Sequence, residues 1–398
     1  MNKHLCSIRQ LLALESSGYW GLKPDEDGVQ VAVVRNGDIS EGSFVTEHLP
    51  QRTFAQEQVR KARLMPGDIL LTSSGNTGRT ALVKQSETPS GLTIVASNFV
   101  RILRPDARQV VPAYLSYGLQ SAVFIRLAEQ YSRGATIKNL SSKILDVPFL
   151  PVPSIAEQED VVNLLAEADE LKKLRAQSDN QTSMLMPALF HEMFGDLRAN
   201  EKGWPPGKLE DLCSNVVDCP HSTPVYASGQ THHPCVRSSD IQNSRLDWSS
   251  TKYVGEEEYL RRIKKFVPLR NDVIFCREGA RLGNSAQITD DTLLCLGQRM
   301  MLFRTSPQES TPEFLWAVLQ SELIQEQVAS LVGGSASPHL NVRDIKNFNC
   351  VIPPLSFQKK FSMCMEELRQ IEADQTASRP CLEALFQSLL HHAFAGDL

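Results

Sequence analysis

The sequence predicts a mixed α+β protein with two similar globular domains and two long antiparallel helices of coiled-coil type. Three observations support this fold class. Short strand-like apolar runs alternate with helical patterns, two helical stretches of about 40 residues follow proline-rich segments, and the motif order of the first half recurs in the second. The predicted boundaries are 1–154 and 199–354 for the domains, and 155–198 and 355–398 for the central and distal helices.

The internal repeat has a shift of about 200 residues, which is half of the 398-residue chain. The run 66–71, followed by Gly75 and Gly78, resembles the run 270–275, followed by Gly279 and Gly283. Other matches keep the same order, among them Leu119-Gln120-Ser121 with Leu319-Gln320-Ser321, and Gly195-Asp196-Leu197 with Gly396-Asp397-Leu398. This period is far too long for a solenoid, so it indicates two related domains.

Each half begins with strands and continues with a helix. Period-two alternation and β-branched runs predict the strands, and a proline near the first turn marks the start of each helix. The predicted strands are 29–34, 68–72 and 99–104 in the first half and 272–276 and 300–304 in the second, and the predicted helices are 112–131 and 312–332.

The two long helical stretches carry apolar residues at heptad spacing near their ends and polar residues in the middle. Antiparallel pairing would align the two polar centres. The predicted pairing residues are Val161, Leu164, Ala168, Leu171, Leu185 and Leu189 in the first stretch and Phe361, Leu368, Ile371, Leu382, Leu385 and Leu389 in the second. Two independent amphipathic surface helices are the alternative. Pro187 and Pro380 are expected to kink or interrupt the helices.

Composition narrows the protein class. Apolar residues make up 41% and charged residues 22%, and the net charge is −5, from 41 basic and 46 acidic side chains. These values argue against a histone-like coating protein and still allow basic residues grouped on one face. The sequence has no apolar run long enough for a membrane span, and its first residues lack an apolar signal core. With nine cysteines, we expect reduced thiols and a cytoplasmic protein.

Catalytic motifs are missing from the sequence. It has no phosphate-binding loop, no glycine-rich dinucleotide fingerprint and none of the acidic or amide-led Pro-Pro motifs of amino-methylating enzymes. We therefore predict no catalytic residue. A cysteine and histidine cluster could suggest zinc, but it lacks a Cys-x-x-Cys knuckle and a counterpart in the first half, so we predict no metal site. Its members are Cys213, Cys219, His221, His232, His233 and Cys235.

Most candidate DNA-binding residues lie in two glycine-framed loops (72–79 and 276–284), in a second loop pair (131–139 and 333–341), and in the basic runs 60–63 and 261–265 before the strands 68–72 and 272–276. Arg35 and Arg237 lie in another matched stretch of the repeat, and Asn98, Gln298 and Arg299 lie next to a strand. Asn pairs well with adenine, Arg with guanine and Glu with cytosine, and Lys or Arg meets phosphate. A polar β-turn and a solvated charged face are the alternatives. In the first half the candidates are Arg35, Arg60, Lys61, Arg63, Ser73, Ser74, Asn76, Thr77, Arg79, Asn98, Arg133, Thr136 and Lys138. In the second they are Arg237, Lys264, Lys265, Arg277, Glu278, Arg281, Asn284, Gln298, Arg299, Ser335, Ser337 and His339.

Taken together, these features resemble the DNA specificity subunits of type I restriction–modification systems. The resemblance covers nearly the whole chain. Besides the repeat, its carriers are Gly-Asp-Ile-Leu-Leu-x-x-Ser-Gly-x-x-Gly at 67–78, Gly-x-Thr-Ile-x-x-Leu at 134–140, Pro-x-Pro-x-x-x-Glu-Gln at 151–158 and Ala-Phe-x-Gly-Asp-Leu at 393–398.

The resemblance implies two target-recognition domains that each bind one half of a bipartite site in double-stranded DNA. It also implies that the helices set the half-site spacing and dock two methyltransferase subunits, to which restriction subunits can be added. The chain would be non-catalytic and without a cofactor of its own, and S-adenosylmethionine, ATP and magnesium would belong to the partners. A stand-alone nuclease or methyltransferase, and an interaction protein with no DNA role, are the alternatives.

Overall fold

The structure, a computed structural model, describes residues 5–24, 27–40, 42–46, 48–87, 93–332 and 338–395. The mixed α+β class predicted from the sequence is confirmed. The chain divides into two compact units, one formed by Met1–Ala176 with Ala377–Leu398 and the other by Gln177–Thr376. Each unit therefore holds one globular domain together with a part of each long helix.

The first globular domain precedes the first long helix, α4 (Ile155–Phe194). Its helices are α1 (Gln56–Ala62), α2 (Pro112–Gly118) and α3 (Ala122–Tyr131). Its strands are β1 (Leu5–Ser7), β2 (Leu12–Ser17), β3 (Val29–Val34), β4 (Ile39–Ser40), β5 (Ser43–Phe44), β6 (Gln51–Phe54), β7 (Ile69–Thr72), β8 (Thr80–Leu82), β9 (Ile94–Ala96), β10 (Val100–Pro105), β11 (Ser132–Arg133), β12 (Asn139–Leu140) and β13 (Pro148–Pro151).

Two sheets organise this domain. The larger has the antiparallel order β2-β10-β7-β8, and the smaller has the order β6-β3-β9, in which β3 and β9 are parallel. Successive residues of a strand point to opposite faces of the sheet. Ile69 and Leu71 of β7 enter one apolar cluster, with α2 and α3, and Leu70 enters the cluster around β3. The apolar residues of β7 are continuous rather than alternating because this strand is buried on both faces of the sheet.

The second globular domain precedes the second long helix, α9 (Leu355–Ala395). Its helices are α5 (Glu256–Ile263), α6 (Pro312–Gln320), α7 (Glu322–Val332) and α8 (Val342–Lys346). Its strands are β14 (Pro206–Lys208), β15 (Cys213–Asp218), β16 (Pro234–Val236), β17 (Ile241–Gln242), β18 (Arg245–Leu246), β19 (Lys252–Tyr253), β20 (Val273–Cys276), β21 (Ser285–Gln287), β22 (Cys295–Leu296), β23 (Met300–Thr305) and β24 (Asn349–Val351).

The second domain repeats the topology of the first. Its larger sheet has the order β15-β23-β20-β21 and its smaller sheet the order β19-β16-β22, again with one parallel pair. Val273 and Phe275 of β20 face one cluster, while Ile274 and Cys276 face another. The repeat detected in the sequence is therefore a repeat of strand order and of burial pattern.

An ion pair between a buried aspartate and a partly exposed arginine fixes each larger sheet. Asp68, fully buried just before β7, accepts hydrogen bonds from the Arg104 guanidinium on β10 at 2.7 and 2.8 Å. Asp272 forms the same bidentate pair with Arg304 on β23, with both distances 2.7 Å. Bidentate arginine–carboxylate pairs are strong and geometrically specific. The aspartate that recurs in the sequence motif therefore has a structural role.

A buried glutamine attaches each long helix to its domain. Gln158, near the start of α4, accepts a hydrogen bond from the backbone N–H of Val111 at 2.8 Å and donates one to the carbonyl of Gln109 at 3.1 Å. Gln358 repeats this arrangement in α9, with Thr311 as the backbone donor at 3.0 Å. Both side chains are fully buried and bonded at both ends of the amide, which explains why glutamine follows each proline-rich segment.

The prediction that prolines interrupt the long helices is wrong. Pro187 lies inside α4 and Pro380 inside α9, and the helical assignment continues through both. Each proline removes one backbone donor, but both rings are exposed. The carbonyl that loses its partner can therefore bond to water. Among the helices that the structure describes, none combines the length and the apolar composition that a bilayer crossing requires.

The buried face of α4, called its seam below, contains only half of the residues that were predicted to pair. Leu165 is 1% exposed, whereas Leu164, predicted to pair, is 40% exposed. Leu171 and Leu185 are 49% and 50% exposed, so their prediction as pairing residues is also wrong. The predicted residues that are buried or half-buried in α4 are Val161, Ala168 and Leu189.

The same shift affects α9. Phe386 is 5% exposed, whereas Leu385 and Ile371, both predicted to pair, are 46% and 47% exposed. The predicted residues that are buried or half-buried are Phe361, Leu368, Leu382 and Leu389. A heptad pattern spaced three then four and one spaced four then three share every second position, so the sequence period leaves two candidate seams. Packing against each domain selects between them.

The polar middle of the helix pair is present in the second unit. Gln375 of α9 is buried, and its amide donates hydrogen bonds to Ser178 at 3.1 Å and to Thr182 at 2.9 Å, both on α4. Further along, Phe361 of α9 packs against Phe194 of α4, with ring centroids 5.5 Å apart. Residue numbers that rise on one helix and fall on the other show that the two segments of this unit are antiparallel.

Candidate nucleic-acid interface

The glycine-framed loop of the first domain lies beside three other segments of that domain. The backbone N–H of Ser73 donates to the carbonyl of Phe99 at 2.8 Å, and that of Gly75 donates to the carbonyl of Lys138 at 2.9 Å. We define the loop surface of the first domain as residues 18–22, 73–79, 97–99 and 138–140. These hydrogen bonds attach the loops to the rigid ends of β7, β10 and β12.

The second domain forms the same surface with the same hydrogen bonds. The N–H of Arg277 donates to the carbonyl of Arg299 at 3.0 Å, and that of Gly279 donates to the carbonyl of Pro338 at 2.9 Å. We define the loop surface of the second domain as residues 219–223, 277–284, 297–299 and 338–340. Because the backbone bonds correspond one to one, the two surfaces can be compared position by position.

Glycines are required at two positions of each glycine-framed loop. Gly75 and Gly78 have φ values of +75° and +85°, and Gly279 and Gly283 have φ values of +86° and +92°. This left-handed region favours glycine. A Cβ at Gly78 would also lie 2.7 Å from the Cβ of Ala128. The backbone frame is therefore constrained, while the residues between the glycines differ between the domains.

Most predicted residues of the first loop surface and its flanks are accessible. Asn76, Arg79, Asn98, Arg133, Thr136 and Lys138 are exposed, and Ser73 and Thr77 are half-buried. Ser74 is 8% exposed, and its carbonyl accepts a hydrogen bond from the Asn36 amide at 3.0 Å. Its side chain is therefore mostly covered, unlike the accessible contact that the sequence predicted.

The second loop surface is more highly charged. Arg281, Asn284, Arg299 and His339 are exposed, and Glu278 and Gln298 are half-buried. The Gln298 amide donates to the carbonyl of His221 at 2.6 Å. One Arg281 nitrogen donates to the carbonyls of Ser239 and Ile241 at 3.1 and 3.0 Å, so this arginine also holds the neighbouring turn. Ser335 and Ser337 lie outside the described residues.

Arg277 is a buried residue beneath the loop surface of the second domain. It is 6% exposed, and its guanidinium contacts Asp218 and Glu278, both at 2.9 Å, and the carbonyl of Leu340 at 3.1 Å. The sequence predicted an accessible DNA contact. Burial and three bonded partners make Arg277 a positioning residue for its neighbours. The corresponding residue in the first domain is the half-buried Ser73.

Two further predicted arginines stabilise turns. Arg35 forms an ion pair with Asp38 at 3.0 Å, and Arg237 forms one with Asp240 at 2.7 Å. The hydrogen bond to each aspartate raises the pKa of its arginine. The predicted basic residues in the last turn of α1 and just after α1 and α5 are exposed, and they stay predicted phosphate contacts. They are Arg60, Lys61, Arg63, Lys264 and Lys265.

The cysteines near the second surface are core residues. Cys219 belongs to one apolar cluster and Cys235 to another, so the cysteine and histidine cluster considered from the sequence is not brought together. Burial raises the pKa of the Cys219 and Cys276 thiols, which keeps them protonated near neutral pH. Among the described residues, no group of three or more potential metal ligands is present.

A groove of about 1190 Å³ adjoins the loop surface in the first unit. Its walls come from the glycine-framed loop, from the second loop and from the helical segments of this unit. Lys172 on α4 borders it and pairs with Glu383 of α9 at 2.7 Å. The groove is open, and polar and apolar groups line it about equally, unlike the mostly apolar enclosed pockets that bind small ligands.

Comparison with known proteins finds one matching family model and several similar proteins. The family model described as "Type I restriction modification DNA specificity domain" matches residues 201–378. The chain is 22% identical over 381 residues to the type I restriction enzyme MjaIX specificity subunit of Methanocaldococcus jannaschii, covering 91% of this chain and 85% of that protein. Residues 201–378 therefore match this family's model, and most of the chain is similar to a type I specificity subunit.

Other type I specificity subunits are also similar to this chain. The EcoKI specificity subunit of Escherichia coli K12 is 22% identical over 398 residues, covering 92% of this chain and 82% of that protein. The Escherichia coli EcoBI specificity subunit is 29% identical over 185 residues, and this match spans 44% of the chain and only 36% of that relative. Full-length similarity to family members is therefore at the level of about one residue in five.

Solved structures show the same fold. The type I restriction–modification S subunit from M. genitalium superposes with a TM-score of 0.56 at 16% identity, covering 99% of this chain and 97% of that one. A second structure comes from work on complex assembly and conformational transition of the type I R-M system. It superposes with a TM-score of 0.60 at 17% identity and covers the same 99% of this chain and 97% of that one. The family fold thus extends over the whole chain, beyond the residues that the family model matches.

Proposed function

We propose that this chain is the DNA-recognition subunit of a type I restriction–modification complex, with each domain binding one half of a bipartite site. The observation that carries this proposal is the pair of loop surfaces, which keep the same backbone hydrogen bonds and differ in their side chains. Side chains that contact base edges provide sequence specificity, whereas a fixed frame sets their position. Two frames with different side chains suit two different half-sites.

The long helices are proposed to dock methyltransferase subunits. In the first unit Leu171 and Leu174 of α4 are about half exposed, at 49% and 52%, and in the second unit Met184 and Met363 are each 69% exposed. Exposed apolar residues on a helix face are typical of protein interaction sites. These side chains lie off the buried seam, so they are available to a partner.

The chain is proposed to be non-catalytic. S-adenosylmethionine, ATP and magnesium would then be bound by methyltransferase and restriction subunits. The relatives that match over most of the chain are specificity subunits, which supports this proposal. The polar side chains of the two loop surfaces suit contacts with base edges and phosphates.

Methylome sequencing of cells with and without the gene tests this function. We expect one interrupted adenine-methylated motif to disappear on deletion and to return when the intact gene is restored. Exchange of residues 1–154 for another recognition domain of the family should change only one half of the motif. The proposal fails if deletion removes no bipartite motif, or if the exchange leaves both halves unchanged.

Arg79 is the exposed arginine of the first glycine-framed loop, and we expect it to contact guanine. Replacement by alanine should weaken binding by about 1–3 kcal/mol and relax one position of the half-site. Binding to a panel of single-base variants measures this. Arg108→Ala is the control, because Arg108 follows the opposite end of β10 and pairs with Asp106. An equal loss on every DNA sequence would instead indicate a phosphate contact.

A further inference from the structure

We propose that the first domain recognises thymine in its half-site through an exposed aromatic pair, Trp20 and Phe99. This inference rests on the proposed function and adds the base chemistry that one of the two domains recognises. The DNA-binding residues predicted from the sequence are all polar or charged, so they include neither of these aromatic residues.

The two rings form an apolar patch on the first loop surface. Trp20 is 60% exposed and Phe99 is 38% exposed, and their ring centroids are 6.1 Å apart in an edge-on arrangement. The Arg52 guanidinium lies 6.0 Å from the Trp20 ring. Large aromatic side chains are usually mostly buried, so an exposed pair next to a cation marks a binding surface. The Phe99 carbonyl accepts the hydrogen bond from Ser73, which places this ring beside the glycine-framed loop.

The equivalent positions of the second domain can be identified from the backbone hydrogen bonds that the two domains share. Gly18 donates to the carbonyl of Val100, and Cys219 donates to that of Met300, both at 3.1 Å. Counting two residues onward from each donor aligns Trp20 with His221.

The residues directly before β10 and β23 give the second alignment. The carbonyls of Phe99 and Arg299 accept the corresponding bonds from the two glycine-framed loops, so these residues are also equivalent. The first domain therefore carries two aromatic rings where the second carries an imidazole and a guanidinium.

This difference in side chains points to different bases. Arginine and other donors suit the acceptor atoms of guanine in the major groove, whereas the 5-methyl group of thymine is the apolar feature of the groove and is recognised by apolar contact. The first domain presents an apolar pair at the position where the second presents hydrogen-bonding groups. DNA is the favoured occupant because the same backbone positions are polar in the second domain, which would not suit a repeated protein-docking surface.

Deoxyuridine substitution tests the proposal, because it removes only the 5-methyl group of thymine. The chain is co-expressed with its methyltransferase subunits, the target motif is taken from the methylome, and each thymine of both half-sites is replaced in turn in a labelled duplex. One replacement, in one half-site only, should weaken binding about four-fold, the value expected for one buried methyl-sized group. With Phe99→Ala, the same replacement should cause no further loss, whereas Phe99→Leu should keep part of the effect.

A matched control and the contrary outcomes complete the design. Met65→Ala removes another exposed apolar side chain of the same domain, at the opposite end of β7, and should keep the full deoxyuridine effect. Equal binding of all deoxyuridine duplexes would overturn the inference while leaving the proposed function intact. Loss of methyltransferase co-purification in Phe99→Ala would assign the patch to a protein partner and also overturn it. A complex that binds no bipartite site at all would refute the proposed function and, with it, this inference.

Discussion

Asp68→Ala should destabilise the first unit by about 3 kcal/mol, because it removes a fully buried carboxylate that accepts three hydrogen bonds. Arg104 would lose two hydrogen bonds of 2.7 and 2.8 Å, and the backbone N–H of Met65 would lose its bond of 2.8 Å to the same carboxylate. For a unit of this size the expected decrease in the unfolding midpoint is about 6–12 °C. Thermal unfolding of the full chain, followed by circular dichroism, measures it.

Two controls isolate the cause. Asp68→Asn keeps an acceptor for Met65 but removes the charge, and it should have a smaller effect, of about 1–3 kcal/mol. Glu57→Ala breaks the exposed pair between Glu57 and Lys61 on α1 and should leave the midpoint unchanged. An Asp68→Ala protein as stable as the unmodified chain would show that the ion pair does not hold the sheet. Asp272→Ala should reproduce the loss in the second unit.

Phe386→Ala should destabilise the helix pair of the first unit by about 3–5 kcal/mol. Phe386 is 5% exposed, its ring centroid lies 6.3 Å from that of Tyr117 on α2, and the Lys172 ammonium lies 4.4 Å from its ring. Its removal would leave a cavity between α9 and the globular domain. Chemical unfolding of the full chain, monitored by helical circular dichroism, gives the change in stability.

The neighbouring Leu385 provides the matched control. It is 46% exposed, so Leu385→Ala should change the free energy of unfolding by less than about 0.5 kcal/mol. The predicted docking of methyltransferase subunits to the exposed helix faces implies that Leu385→Ala weakens their co-purification instead. Equal destabilisation by the two variants would mean that the seam inferred from burial is wrong.

Local sequence patterns were sufficient to predict much of the fold. The apolar runs at 68–72 and 272–276 became β7 and β20, and the heptad stretches became α4 and α9. Both glycine-framed loops were found because glycines with positive φ are hard to replace, so they leave a pattern in the sequence. These features depend on neighbours within a few residues, which a sequence displays directly.

The candidate interface was only partly predictable. Exposed residues such as Arg79 and Arg299 were identified from their chemistry. The role of Arg277 was not, because its partner Asp218 lies 59 residues away in the sequence. Trp20 and Phe99 were missed because aromatic residues are expected in a core. The signal that could have found them is their alignment with His221 and Arg299 in the repeat.

The sequence by itself determined that this protein is duplicated, that each half frames its loops with the same glycines, and that each half ends in a long amphipathic helix. Only the tertiary structure decided which face of each helix is buried. Positions 164 and 165 are both leucine, and a heptad period allows either one to lie on the buried face. The choice therefore depends on the shape of the domain that the helix packs against. The tertiary structure also decided which charges are already paired, because ion pairs form between strands that are distant in the chain.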